Sequence, residues 1–215
     1  MRARGTVTAT IAAAVAVGAL LAFVVARAGG PEPPPAVDAF LAAWRRSLTG
    51  TYATHQVVER RLVSGRTFSS EVTLAQRPPD RIRVDSSGTE GRVGGRRFGC
   101  VPDGGCRFGG DAPPYAKDVD DEMGLLRAIV ASETPLYATA YSDAGAGCFL
   151  LVLRARVLAP PYGEDATFCF DAATGALRTS VVHRAEATDT TTTVDLRAGV
   201  RPSDLRLPPE LRRAS

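Results

Sequence analysis

Residues 36–52 read AVDAFLAAWRRSLTGTY, a helical pattern that stops at a glycine and passes into β-forming residues. Val37, Phe40, Leu41, Trp44 and Leu48 fall at i, i+3, i+4, i+7 and i+11, which gathers them into one apolar stripe. Arg45 and Arg46 stand off that stripe near the C-terminal end, where the helix dipole favours cations. Gly50 supplies the stop. The spacing predicts a helix over 36–48. The change to a series of strand patterns after Gly50 decides the fold class.

Residues 51–63 are rich in Thr, Tyr and Val, and Ser64-Gly65-Arg66 turns the chain. Residues 67–76 return with Phe68, Val72 and Leu74 among polar neighbours. A turn at 77–80 leads to 81–85, where Ile82 and Val84 alternate with charge, and then to a glycine-rich ribbon over 91–108. A second helix is expected over 115–130, with Val119, Met123, Leu126 and Val130 on one face and Leu125 and Ile129 beside it. Asp118, Asp120, Asp121 and Glu122 crowd its first turns, as carboxylates do at a helix N-terminus. A calcium loop would need glycine-turn spacing that is missing here. Strands are expected over 136–142, 148–154, 165–171, 176–187 and 188–196, with Asp171-Ala172-Ala173-Thr174-Gly175 as a turn. Thr190–Thr193 reads as β-branched strand filler. No repeat and no second linker interrupts the pattern. Residues 36–211 therefore read as one α+β domain, with 212–215 as a tail.

The four cysteines give the sharpest local expectation. In FGCVPDGGCRF, residues 98–108, Cys100 and Cys106 are symmetric about Asp103, and so are Phe98 and Phe108. A hairpin centred on 102–105 sets each pair opposite, with Cα atoms about 4.5–5.5 Å apart, inside disulfide range. If Cys148 and Cys169 are likewise opposed, Phe149 faces Phe168 and Leu151 faces Ala166 around a loop at 155–162. Phe149, Leu151, Leu153, Phe168 and Phe170 then share the inner face, whereas a tighter hairpin would offset the cysteines. The contrasting reading is four free buried thiols.

Residues 1–28 are unlike the rest. Arg2 and Arg4 precede TVTATIAAAVAVGALLAFVV, an uncharged run over 6–25. Its twenty residues span about 30 Å as a helix, the thickness of a bilayer core. A retained anchor is one reading. A cleaved signal is the other, since Ala26-Arg27-Ala28 offers small residues of an A-x-A site. Charge bias places the N-terminus in the cytoplasm and everything after Gly30 outside, where two disulfides would persist. GGPEPPP at 29–35 forms an extended proline-rich linker.

The chain of 215 residues has 25 arginines, one lysine and no asparagine. Lysine and asparagine codons are AT-rich, so the bias reflects a GC-rich coding sequence. Arg2, Arg4, Arg27 and Glu32 fall in the first 35 residues, leaving 23 basic and 22 acidic residues beyond them. That near-balance gives nucleic-acid binding no support. His55 and His183 sit singly on strand patterns, and HExxH, GxSxG, P-loop and SxxK motifs are absent. No catalytic residues, metal ligands or cofactor are expected, and the chain reads as a non-enzyme.

Particular stretches carry a resemblance. FLAAWRRSLTGTY (40–52) resembles the opening helix and first strand of the LolA-like superfamily of bacterial envelope lipid and lipoprotein carriers, which includes RseB-type sensors. Pro79-Asp80-Arg81-Ile82-Arg83-Val84 is similar to that family's P-x-R strand start. Asp171 to Leu177 is similar to its D-x-x-T-G-x-L hairpin, and VRPSDLRLP (200–208) to its closing segment. The chain also resembles membrane-anchored proteins of actinobacterial type. The resemblance implies an open antiparallel half-barrel with covering helices, preceded here by an N-terminal transmembrane helix. It further implies a lipid or acylated ligand in an apolar cavity, to which Trp44, Leu126, Ile129, Phe149, Leu151 and Phe168 are assigned, each with an ordinary dry core as the alternative. A sensor or interaction domain that binds an envelope protein is the rival expectation.

Overall fold

A computed structural model describes residues 34–212. The expected membrane segment at 1–28, most of the linker at 29–35 and the last three tail residues lie outside the described residues. Among the described residues no helix is long and apolar enough to cross a membrane.

Helix α1 (Ala36–Thr49) leads into six strands: β1 (Tyr52–Leu62), β2 (Thr67–Arg77), β3 (Asp80–Asp85), β4 (Gly88–Val93), β5 (Arg96–Val101) and β6 (Gly105–Asp111). Helix α2 (Tyr115–Val130) comes next, then β7 (Tyr137–Tyr141), β8 (Cys148–Leu153), β9 (Asp165–Phe170), β10 (Leu177–His183) and β11 (Ala187–Arg197). A 3-10 turn at Pro202–Leu205 and a short helix, α3 (Pro209–Arg212), end the described chain. The strands form one antiparallel sheet, in the order β6-β5-β4-β3-β2-β1-β11-β10-β9-β8-β7. Two meanders are thus fused where the first strand pairs with the last, and both outer edges stay open.

The ribbon at 91–108 resolves into parts of three strands. Gly94 and Gly95 form a two-residue turn at φ 58° and 78°, the left-handed geometry that tight hairpins need. The expected boundary between the last two strands moves as well. β10 ends at His183, and the Arg184 N–H donates to the Ala187 carbonyl to close the turn.

The registers bring the cysteines together. Cys100 opposes Cys106, and Phe98 opposes Phe108. Cys148 opposes Cys169, Phe149 opposes Phe168, and Leu151 opposes Ala166. Both cysteine pairs are disulfide-bonded, each with Cα atoms 4.0 Å apart.

Two apolar clusters lie on opposite faces of the sheet. On the inner face Phe40, Ala43 and Leu48 of α1 and Val119, Met123, Leu126 and Val130 of α2 pack on Tyr137, Phe149, Leu151, Phe168 and Phe170. Ala43, 1% exposed, belongs to the buried stripe although its small side chain carries little hydrophobic signal. On the outer face Ala53, Ala75, Ile82 and Phe98 are covered by Leu205 and Leu211 from the C-terminal segment. Gly91 lies between Ile82 and Phe98 in register, and a Cβ there would come within 3.0 Å of the Phe98 ring. Helix α2 touches β7 and β8 through this inner cluster and β4 and β5 through Asp118. Those strands stand far apart in the sheet order, so the sheet curves around its helices.

Candidate functional site

The concave face of β1–β5 is lined by a row of directly opposed residues: Tyr52, Gln76, Arg81, Arg92 and Arg97, one from each strand in turn. Their neighbours Ala53, Ala75, Ile82, Gly91 and Phe98 alternate to the other face, as the two-residue period of a strand requires.

At one end of the row, side chains anchor the C-terminal end of α1. Gln76, 1% exposed, donates through Nε2 to the carbonyls of Ser47, Leu48 and Gly50 at 2.9, 3.0 and 2.9 Å. The Tyr52 hydroxyl donates to the Ser47 carbonyl at 2.7 Å, and the Tyr115 hydroxyl donates to that of Leu48. These contacts satisfy carbonyls that a helix terminus leaves without partners. Burial pushes the Tyr52 phenol up to about 12, against the pull of Arg81, and raises that of Tyr115 in the same way. Both phenols therefore remain donors at neutral pH.

At the other end, Asp118 of α2 accepts from Arg92 Nη1 at 2.7 Å and from Arg97 Nη2 at 2.8 Å. The Arg92 guanidinium also lies 5.3 Å from the centre of the Tyr115 ring. Glu122, one turn further along α2, accepts from the Trp44 indole N–H at 2.9 Å.

Between these anchors lies a cavity of about 460 Å³, walled by Leu48, Tyr115 and Val119 and by the charged side chains of the row. A second, of about 230 Å³, shares Leu48, Arg81, Arg83 and Glu122 with it. Trp44, Val72, Leu74, Phe170 and Leu177 give the second cavity a more apolar wall. The two form one cleft between the helices and the sheet, with apolar sides and a charged centre. The larger volume falls within the usual range for small-molecule sites.

Of the six residues assigned to a ligand cavity from the sequence, Leu126, Phe149, Leu151 and Phe168 are at most 5% exposed and packed together. Ile129 packs against the same cluster. Trp44 does so too, and it alone of the six also lines the cleft. Arg92 and Arg97 carry no motif signal in the sequence, and Arg81 enters there only through the P-x-R stretch at 79–84.

His55 Nε2 lies 3.2 Å from Glu71 Oε2, and His183 lies 3.2 Å from Thr188 Oγ1 and 3.8 Å from Asp165. His55 edges an outer-face cavity of about 310 Å³ whose lining contains threonines but no serine or cysteine. Glu71 is outside that lining, with its side chain 74% exposed. All four cysteines are oxidised, and among the described residues no group of three or more His, Cys, Asp or Glu side chains is placed to hold a metal ion.

No protein-family model and no curated protein matches the sequence. Solved structures do resemble it. MucB is 14% identical, with 84% of this chain and 66% of that one covered and a TM-score of 0.48. LprF from Mycobacterium bovis is 15% identical, covering 83% and 99%, at 0.41. A LolA superfamily protein from Nitrosomonas europaea is 6% identical, covering 81% and 98%, at 0.35. This chain spans just under two thirds of the MucB chain that it matches.

Proposed function

We propose that the chain is an extracytoplasmic binding domain that takes a lipid or acylated ligand into the cleft between its helices and the concave face of the sheet. The observation that carries this reading is the cleft itself, where an apolar wall of Trp44, Val72, Leu74, Phe170 and Leu177 adjoins a charged centre. An amphiphile needs those two surfaces side by side. In this reading the domain is an open half-barrel covered by its helices. Residues 1–28 tether it to the membrane as a retained single-pass helix, with residues 29–35 as the spacer. Two disulfides support a compartment outside the cytoplasm. Binding, not catalysis, is the activity assigned.

Native mass spectrometry of the full chain, purified from an oxidising compartment, tests the proposal. The expected result is a bound mass that is lost on delipidation and restored by added acyl compounds. A bare chain that ignores added acyl compounds overturns it. That outcome favours a domain that docks an envelope protein, a reading supported by the exposed Val157 and Leu158 in the loop between β8 and β9. Crosslinking from that loop would then identify the partner.

A further inference from the structure

The opposed positions of Arg81, Arg92 and Arg97 place three arginines in one row across adjacent strands, all lining the larger cavity. Like charges in directly opposed positions destabilise a sheet unless something compensates them. Asp118 compensates two of the three, since it accepts from both Arg92 and Arg97. The other carboxylates around the larger cavity are also engaged. Glu90 pairs with Arg83 at 3.4 Å, and Glu122 accepts from Trp44. Half-buried Arg81, which lines both parts of the cleft, has no ion pair among the described residues. Around the larger cavity four arginines thus meet three carboxylates. The buried Nε of Arg92, opposite Arg81 in the register, also lacks a hydrogen-bond acceptor.

From this juxtaposition we infer that the cleft holds an oxyanion between Arg81 and Arg92, a phosphate or carboxylate group whose charge completes the row. The inference rests on the ligand-binding reading of the same cleft and specifies the head of the ligand. A guanidinium presents a planar fork of donors that matches the oxygen spacing of such groups, and a partly enclosed setting strengthens the pairing. The group sits at the mouth of the apolar part of the cleft, so an attached alkyl chain would run past Leu48 towards Trp44 and Leu177. Free phosphate would use the same donors without a chain.

Trp44 is the only tryptophan in the chain and lines the cleft, so its fluorescence reports occupancy. The experiment titrates the full chain, in neutral detergent, with hexyl phosphate, hexanol and inorganic phosphate. It is repeated on Arg81→Gln, on Arg81→Lys, and on Arg61→Gln as a control on an exposed strand position. Saturable binding of hexyl phosphate is expected, much tighter than that of hexanol. Arg81→Gln should weaken it about tenfold or more, Arg81→Lys less, and Arg61→Gln not at all. If inorganic phosphate binds as tightly as hexyl phosphate and with the same dependence on Arg81, the oxyanion site stands and its source is a free anion. If hexyl phosphate and hexanol bind alike, in the parent and in a folded Arg81→Gln or Arg81→Lys chain, the oxyanion site is overturned while the acyl-binding reading survives. If none of the three binds, both fall.

Discussion

Gln76 shows how much one side chain can hold in place. It is polar and 1% exposed near the end of β2, where an apolar residue would serve packing better. Its amide instead ties β2 to three carbonyls at the C-terminal end of α1. Gln76→Leu removes the donor and leaves those carbonyls enclosed, so a loss of about 1–3 kcal/mol is expected in denaturant unfolding. Asp171 acts similarly at the turn before β10. One carboxylate oxygen accepts from the N–H groups of Ala173 and Thr174 and from the Thr174 hydroxyl, at 3.1, 2.8 and 2.9 Å. The hydrogen bonds from Thr174 hold the Asp171 carboxyl below its ordinary value. Its folded-state pKa is depressed, so its contribution is present above the unfolded-state pKa and is lost as pH falls through the folded one. Thermal unfolding followed from neutral to acidic pH should therefore converge for the parent and Asp171→Ala, with the parent more stable at neutral pH. Curves that stay parallel at every pH would show that the turn does not depend on the carboxylate.

At the scale of elements, the hairpins carry the disulfides, and the two bridges differ in what they close. Cys148–Cys169 spans 21 residues, and Cys100–Cys106 spans six. Loop-closure entropy assigns about 3 kcal/mol to the first and about 2 kcal/mol to the second. Replacing Cys148 and Cys169 by alanine should lower the denaturation midpoint more than replacing Cys100 and Cys106. Equal losses would point to local packing instead of chain constraint. The helices contribute in another way. Both apolar faces were legible from spacing, but α1 buries Ala43 because a small side chain lets the helix approach the aromatic cluster closely. Phe149→Ala, in that cluster, should cost about 3–5 kcal/mol.

Across the whole molecule, α2 links distant parts of one sheet. Its apolar face packs towards β7 and β8, while Asp118 reaches β4 and β5. Arg92 is 8% exposed, so removing its carboxylate partner leaves an enclosed guanidinium without compensation. Asp118→Ala is expected to destabilise the chain by about 2–4 kcal/mol, somewhat less than the roughly 3–5 kcal/mol of a fully buried pair because the Asp118 side chain is 28% exposed. Hydrogen exchange should show the loss of protection in both α2 and β4–β5, since the contact joins them. A loss confined to α2 would mean that the sheet keeps its curvature without this bond.

Much of the architecture can be read from local pattern. Helical spacing placed α1 and α2, alternation placed the strands, and the symmetric spacing of cysteine and phenylalanine indicated the register of the 98–108 hairpin and offered that of β8 with β9 on condition that Cys148 and Cys169 are opposed. Each depends on residues close in sequence or on a period that one face must satisfy. The same symmetry also relates Arg92 to Arg97 about Gly94-Gly95, and Arg81 to Arg92 about Ser86-Ser87, so part of the arginine row was available from spacing. What spacing does not contain is the surface that faces those arginines. The pairing of β1 with β11, the curvature that brings Asp118 and Glu122 over the row, and the filling of the Phe149 region by Phe40 depend on contacts between segments far apart in the chain. Those contacts decided that the expected apolar cavity residues pack mostly as core and that the open space lies beside the arginines. Burial and charge compensation are properties of the surroundings, and only the tertiary structure supplies the surroundings.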